Sequence, residues 1–200
     1  MYKLIILLFI SNLIFTQKKQ ILDLADLYKK GKLTVVNRDI KAVTENGKNF
    51  IQLADNKEEG LVWLPIKDFK NGKITIRMRG KDVLQRSFIG ITFHGQNDST
   101  YDAVYCRPFN FLAKDSIRKI HAIQYISHPK FTWKFGYQKD KEKLTAESGY
   151  TKDQMIFFRK NTKHFQYIRA ERIGPRDIYE ASSVVVADKK QLGLLGEYAA

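Results

Sequence analysis

From Leu33 onward the chain is written in short apolar runs broken by Gly, Asn, Asp and Lys: LTVVN, FIQLA, LVWLP, KITIRMRG, SFIGITFHG, YDAVYCRPF and HAIQYIS. Runs of this length, rich in Val, Ile, Phe and Tyr and bounded by turn residues, predict a mainly antiparallel all-β protein, a sandwich or jelly roll. Strands do not alternate with long helical patterns, which disfavours a parallel nucleotide-binding sheet. Ahead of the runs, ILDLADLYKK (Ile21 to Lys30) has an amphipathic helical pattern closed by Gly31. Between Lys134 and Glu180 neither the helical nor the strand period fits. Strand character resumes at ASSVVVADKKQLGLLGEY.

The first residues change the picture of where the chain works. Lys3 precedes the apolar run LIILLFISNLIF, which stops at Thr16-Gln17 and is followed by Lys18 and Lys19. That run is short for a bilayer span and has the layout of a secretory signal peptide. Residues 1–16 therefore read as the signal and 17–200 as one domain, secreted or periplasmic, monomeric and not inserted in the membrane after cleavage. About 180 residues can bury one real core but not comfortably two. Cys106 is the single cysteine, so no internal disulfide forms and stability rests on packing. The formal net charge is +14. Because the basic residues are interleaved with acids along the chain, they read as a solvated surface rather than a nucleic-acid footprint, while attraction to anionic glycans stays compatible with them.

The candidate chemistry sits in SFIGITFHGQNDSTYDAVYCRPFNF, Ser87 to Phe111. Strand alternation puts Ile89, Ile91 and Phe93 on one face and Gly90, Thr92 and His94 on the other. In the next strand Tyr101, Ala103, Tyr105 and Arg107 share a face. A hairpin closed by GQNDST brings His94 near Tyr101, with Tyr105 and Arg107 further along and Gly90 leaving open space opposite Tyr105. HAIQYIS adds His121 and, depending on register, Gln124 or Tyr125. Taken singly these are ordinary residues: Tyr101 and Tyr105 half-buried in a sheet, His94 capping a turn, Arg107 paired with Asp102 or Asp115. Together they offer a sugar what it needs, rings for its C–H faces and forked donors for its hydroxyls. No HExxH, paired Cys, complete calcium loop or GxSxG is present, so no cofactor is expected. A loop calcium around His94, Asp98 and Asp102 is the one metal the pattern leaves open.

Between about Phe50 and Trp133 the blocks GITFHG, YDAVYCRPFNF and HAIQYIS stand in an order that resembles the 3-keto-disaccharide hydrolase domain family of secreted bacterial proteins. The resemblance implies a concanavalin A-like, laminin G-like jelly-roll sandwich whose concave face handles carbohydrate. It carries His94, Tyr101, Tyr105, Arg107, Asn110 and Gln124 over as face residues. Retaining glycosidases of this fold need two carboxylates about 5 Å apart. The corresponding strand here, KITIRMRGKD, has Thr75 and Arg77 instead. Residues 134–180 also diverge from the family, and the chain stops at Ala200, before the strand that closes the sandwich in relatives, so the expected jelly roll lacks its last strand.

Two functions follow as expectations. The first is cleavage of a 3-keto-disaccharide by elimination, a glycoside hydrolase or lyase type of reaction that needs no carboxylate pair. His94 serves as base, Arg107 holds the enolate, and Tyr101 orients the sugar or donates a proton. Tyr105, Asn110, His121, Gln124 and Tyr125 bind substrate. The alternative is a non-catalytic glycan-binding module that uses the same face for stacking and hydrogen bonds.

Overall fold

The computed structural model describes residues 19–66, 69–111, 113–132, 146–148, 154–158, 165–172 and 178–198. Residues 1–16, read from the sequence as a signal peptide, lie outside them. Helix α1 (Leu24–Lys29) lies inside the Ile21–Lys30 segment and starts later than its first residue, where the Asp23 side chain accepts from the Asp26 amide at 3.0 Å. Gly31 closes the turn at φ +63°, a conformation open to a residue without Cβ.

The rest is sheet. In chain order the strands are β1 (Thr34–Val36), β2 (Ile40–Glu45), β3 (Lys48–Leu53), β4 (Glu58–Trp63), β5 (Phe69–Arg79), β6 (Phe88–Asn97), β7 (Thr100–Cys106), β8 (Ile123–Ser127), β9 (Ala146–Ser148), β10 (Gln154–Phe158), β11 (Phe165–Arg172) and β12 (Ile178–Tyr198). A 3-10 turn at Pro108–Asn110 and the short helix α2 (Ser116–Ile120) join β7 to β8. Every strand pair among the described residues is antiparallel, and the fold is all-β. The main order is β1-β4-β12-β6-β7-β8-β9. β12 takes part in two sets of pairings. Its Gly193–Tyr198 end lies between β4 and β6, and its Ile178–Lys190 stretch pairs with β5 and, over part of its length, with β11. β2 and β3 form a separate hairpin whose turn residues Asn46 and Gly47 both have positive φ, as a two-residue connection between twisted strands requires. Among the described residues no helix is long and apolar enough to cross a membrane.

Strand alternation sorts the core onto two faces. Val62, Phe93, Val104, Cys106, Ile123, Tyr125 and Leu194 are buried on one, together with Met78 of β5 and the partly buried Ile74 and Ile76. Leu61, Trp63, Tyr101, Ala103, Tyr105, Ile126 and Leu195 are buried on the other, with Phe88 packed against them. Each large apolar side chain buried this way contributes roughly 1.5–3 kcal/mol. In β5 the inward Ile74, Ile76 and Met78 alternate with exposed Lys73, Thr75, Arg77 and Arg79. Thr75 and Arg77 therefore point away from the face that carries Tyr101 and Tyr105.

Gly90 pairs with Tyr105 as the alternation implies. The open space expected there does not exist. A Cβ on Gly90 would lie 2.6 Å from Tyr105 Cα and 2.7 Å from Tyr105 Cβ, and closer still to the Val104 carbonyl. The missing side chain lets β6 and β7 approach; it leaves no cavity for a ligand.

Candidate functional site

The polar side chains singled out from the sequence fall into three clusters. The first is a corner built by side chains of β4, β7 and the residue after β8, which reach one another across the intervening β12 and β6. Tyr101 donates its hydroxyl to Glu59 Oε2 at 2.5 Å, and His128 Nε2 lies 3.0 Å from Glu59 Oε1. The Tyr101 and His128 rings stack, with centroids 4.8 Å apart and planes inclined by 18°. The His128 amide also donates to the Tyr101 carbonyl at 2.8 Å, which fixes the imidazole over the phenol. Trp63 packs edge-on against Tyr101 at 6.2 Å and gives its indole N–H to Asp98 Oδ1 at 2.7 Å. Burial raises the pKa of Glu59, but the His128 and Tyr101 contacts and the His128 charge outweigh it. The carboxyl is held below its ordinary value. Its side chain keeps 26% of its surface exposed, against 13% for His128.

The second cluster is internal. Tyr105 donates its hydroxyl to Gln124 Oε1, and Arg107 gives Nη2 to the same oxygen and Nη1 to the His121 carbonyl at 2.8 Å. The Arg107 guanidinium also stands 5.4 Å from the Tyr105 ring centre and 5.9 Å from that of Phe88. Asn110 Nδ2 donates to the His121 carbonyl at 3.1 Å, and Asn110 Oδ1 accepts from Arg118 Nε at 3.2 Å. Tyr105, Gln124, Arg107 and Asn110 are each at most 5% exposed. They hold the 3-10 turn and the start of β8 against β7 and lie below the surface.

The third cluster is His94 with Asp102, Nδ1 to Oδ2 at 2.5 Å, both side chains nearly buried. His94 was expected beside Tyr101. Instead it takes φ +55°, the β6–β7 register shifts between Phe93 and Asn97, and the imidazole reaches Asp102 on the opposite face from Tyr101. Its ring packs edge-on against Phe93 at 4.9 Å. A β-bulge re-aims side chains in just this way, so the alternation that holds through Thr92 fails one turn later.

His94, Tyr101 and Arg107, the three residues expected to act together, thus stand in three different clusters. Of the expected binding residues, Tyr105, Gln124 and Asn110 converge with Arg107, and His121 joins them through its carbonyl. Gln124, not Tyr125, shares the Tyr105 face. Tyr125 stacks on Phe93 at 6.3 Å in the opposite core. Glu59, His128 and Trp63 were not singled out from the sequence. Period-two counting extended by one or two residues reaches all three: Glu59, Leu61 and Trp63 share a face, as do Gln124, Ile126 and His128. Among the described residues no three His, Cys, Asp or Glu side chains group as metal ligands. Of the turn where the sequence left a loop calcium open, Asp98 is engaged by Trp63 and Asp102 by His94.

No family model matches the chain, and no curated protein or solved structure is similar to it. The geometry therefore carries the chemical reading. Glu59 is a single carboxylate, ionised at neutral pH and partly open, held by a phenol and an imidazole, with the Trp63 indole packed behind the phenol. Such a group can accept hydrogen bonds from ligand hydroxyls through its exposed part, while the buried Tyr101 and Trp63 rings support it from beneath.

Proposed function

We propose that the chain is a secreted or periplasmic carbohydrate-binding protein with a concanavalin A-like jelly-roll sandwich, and that the sugar is taken at the Glu59–Tyr101–His128 corner. The observation that carries this reading is the partly open Glu59 carboxylate held between a stacked phenol and imidazole. Adjacent hydroxyls of a pyranose present two donors to one carboxylate, and the exposed edge of His128 borders the place where the sugar would sit. The Arg107–Tyr105–Gln124 network beneath stiffens the sheet that displays the corner.

The test is a binding titration of the full chain with a panel of neutral mono- and disaccharides, followed by tryptophan fluorescence of Trp63 and by calorimetry. Glu59→Gln is expected to weaken binding roughly tenfold by loss of charge-assisted hydrogen bonds. Arg107→Lys, below the surface, should have much less effect on affinity. Equal affinity for Glu59→Gln and the parent would remove the corner as the site.

A second reading is favoured by the His94–Asp102 contact. A carboxylate on Nδ1 fixes the imidazole's tautomer and orientation, which is how a histidine is prepared as a general base at Nε2. In this reading His94 Nε2, which is buried in the structure and must be uncovered by substrate, takes the C2 proton of a 3-keto sugar. The C1–O bond breaks as a C1=C2 double bond forms, and the imidazolium returns the proton to the departing glycosidic oxygen, without Arg107. Mass-spectrometric detection of released sugar from 3-keto disaccharides, lost in His94→Ala, would support it. A folded chain that binds these substrates and releases nothing would leave binding as the function.

A further inference from the structure

The outward face of β5 is a row of cations. Lys73, Arg77 and Arg79 occupy three of four alternate exposed positions, with Thr75 between the first two, and Lys81 continues the row just past the strand. Alternate residues on a strand face are about 6.7 Å apart, so Lys73 to Arg79 spans roughly 20 Å. Arg79 is met by Glu45 at 2.5 Å and Lys81 by Asp55, both as exposed pairs that hold the β2–β3 hairpin beside this end of β5. Exposed pairs of this kind are weak and leave the cations available to a stronger counter-charge. In the ladder with β12, Arg77 stands opposite Glu180, and the other partners of Lys73 to Arg79 carry no charge: Val184, Ser183, Ser182, Ala181, Tyr179 and Ile178.

We propose that this face binds an anionic polysaccharide, a chain whose carboxylates or sulfates recur along its length, at a place distinct from the Glu59 corner. A nearly straight row of cations suits a linear polyanion, because successive charges meet successive side chains without either partner bending. The exposed β5 face carries no aromatic residue, only Lys73, Thr75, Arg77 and Arg79. A single-stranded nucleic acid would want rings on which to stack its bases. The formal net charge of +14 adds long-range attraction for any polyanion, and the row supplies the docking geometry.

The full chain is titrated with sodium polygalacturonate, with uncharged dextran, and with an oligothymidylate of matched charge. Lys73→Gln/Arg77→Gln removes two cations from the row, and Lys32→Gln/Lys41→Gln removes two exposed cations elsewhere. Polygalacturonate is expected to bind and dextran not to compete. Affinity should fall roughly tenfold between about 50 and 200 mM salt, and by a similar factor in the row variant, against less than about twofold in the control variant. Glu59→Gln should leave this binding unchanged, which separates it from the neutral-sugar site. Equal losses in both double variants would reduce the effect to net charge and overturn the proposal. Tighter binding of oligothymidylate, lost with the row, would assign the face to nucleic acid instead. β5 has only β12 as partner among the described strands, and charges also keep sheet edges from pairing. A row variant that self-associates while its affinity for polygalacturonate is unchanged would show that the cations serve only that purpose. Melting curves matching the parent's confirm that each variant is folded.

Discussion

Replacing Gly90 by Ala tests the packing of the central hairpin. The added methyl would sit 2.6 Å from Tyr105 Cα and 2.7 Å from Tyr105 Cβ, with the Val104 carbonyl nearer still. These atoms belong to the paired strand or its first side-chain carbon, so no rotamer change can move them away. β6 and β7 must separate, disturbing the Gly90–Tyr105 and Ile91–Val104 pairs and the Phe88–Tyr105 edge contact at 5.8 Å. Overpacking in a core costs about 1–3 kcal/mol, and a backbone clash belongs at the upper end. With about 3 kcal/mol lost, a chain of this size should melt roughly 6–12 °C lower. Gly72→Ala is the control: its methyl meets only the Phe69 ring, at 3.1 and 3.2 Å, which can tilt away. Circular dichroism melts of both variants beside the parent decide the matter. A Gly90→Ala melting point within about 2 °C of the parent's would refute the claim that the strands need this close approach.

Glu59 makes stability depend on pH. Its carboxyl is held below the ordinary 4.5, so its contribution is present above that value and is lost as pH falls through the lower folded-state value. Urea unfolding at stepped pH should show this acid loss in the parent and a shallower one in Glu59→Gln. Arg107→Met leaves the His121 carbonyl and Gln124 Oε1 short of a charged donor and should cost about 2–4 kcal/mol in the same assay. Arg107→Lys should recover only part of this, since an ammonium cannot reproduce the guanidinium fork. Burial pushes the Cys106 thiol up to about 12, so a thiol-exchange reagent at mildly alkaline pH should react with it only at the rate at which the chain opens, and at once in denaturant.

Much of the sheet was legible because its strands are short apolar runs with turn residues between them. KITIRMRG, SFIGITFHG, YDAVYCRPF and HAIQYIS fall within or across β5, β6, β7 and β8, and Gly31 marks the end of α1. β2 was missed because IKAVTE carries charge at both ends and little β signal beyond Ile40 and Val43. β10 and β11 were missed because aromatic and basic residues mix there without a period. For the site, alternation correctly grouped Tyr101, Tyr105 and Arg107 on one face but could not foresee that a local bulge turns His94 to Asp102. Nor does one strand's pattern disclose a contact between strands far apart in the chain, and Glu59 meets Tyr101 only through the sheet. Tyr105 and Arg107 were read as ligand contacts. Their burial makes them scaffold, a distinction that depends on what covers them rather than on which face they occupy.

The passage of β12 through both sets of pairings has a consequence for biogenesis. Its Gly193 pairs with Trp63 on one side and Thr92 on the other, and its Ser182 with Thr75 and Arg169. Until β12 is supplied, β4 and β6 have no ladder between them and β5 and β11 no common neighbour. Contacts between residues so distant along the chain close slowly. As the polypeptide is delivered, the earlier strands must wait with adhesive borders exposed until β12 arrives and zips them shut.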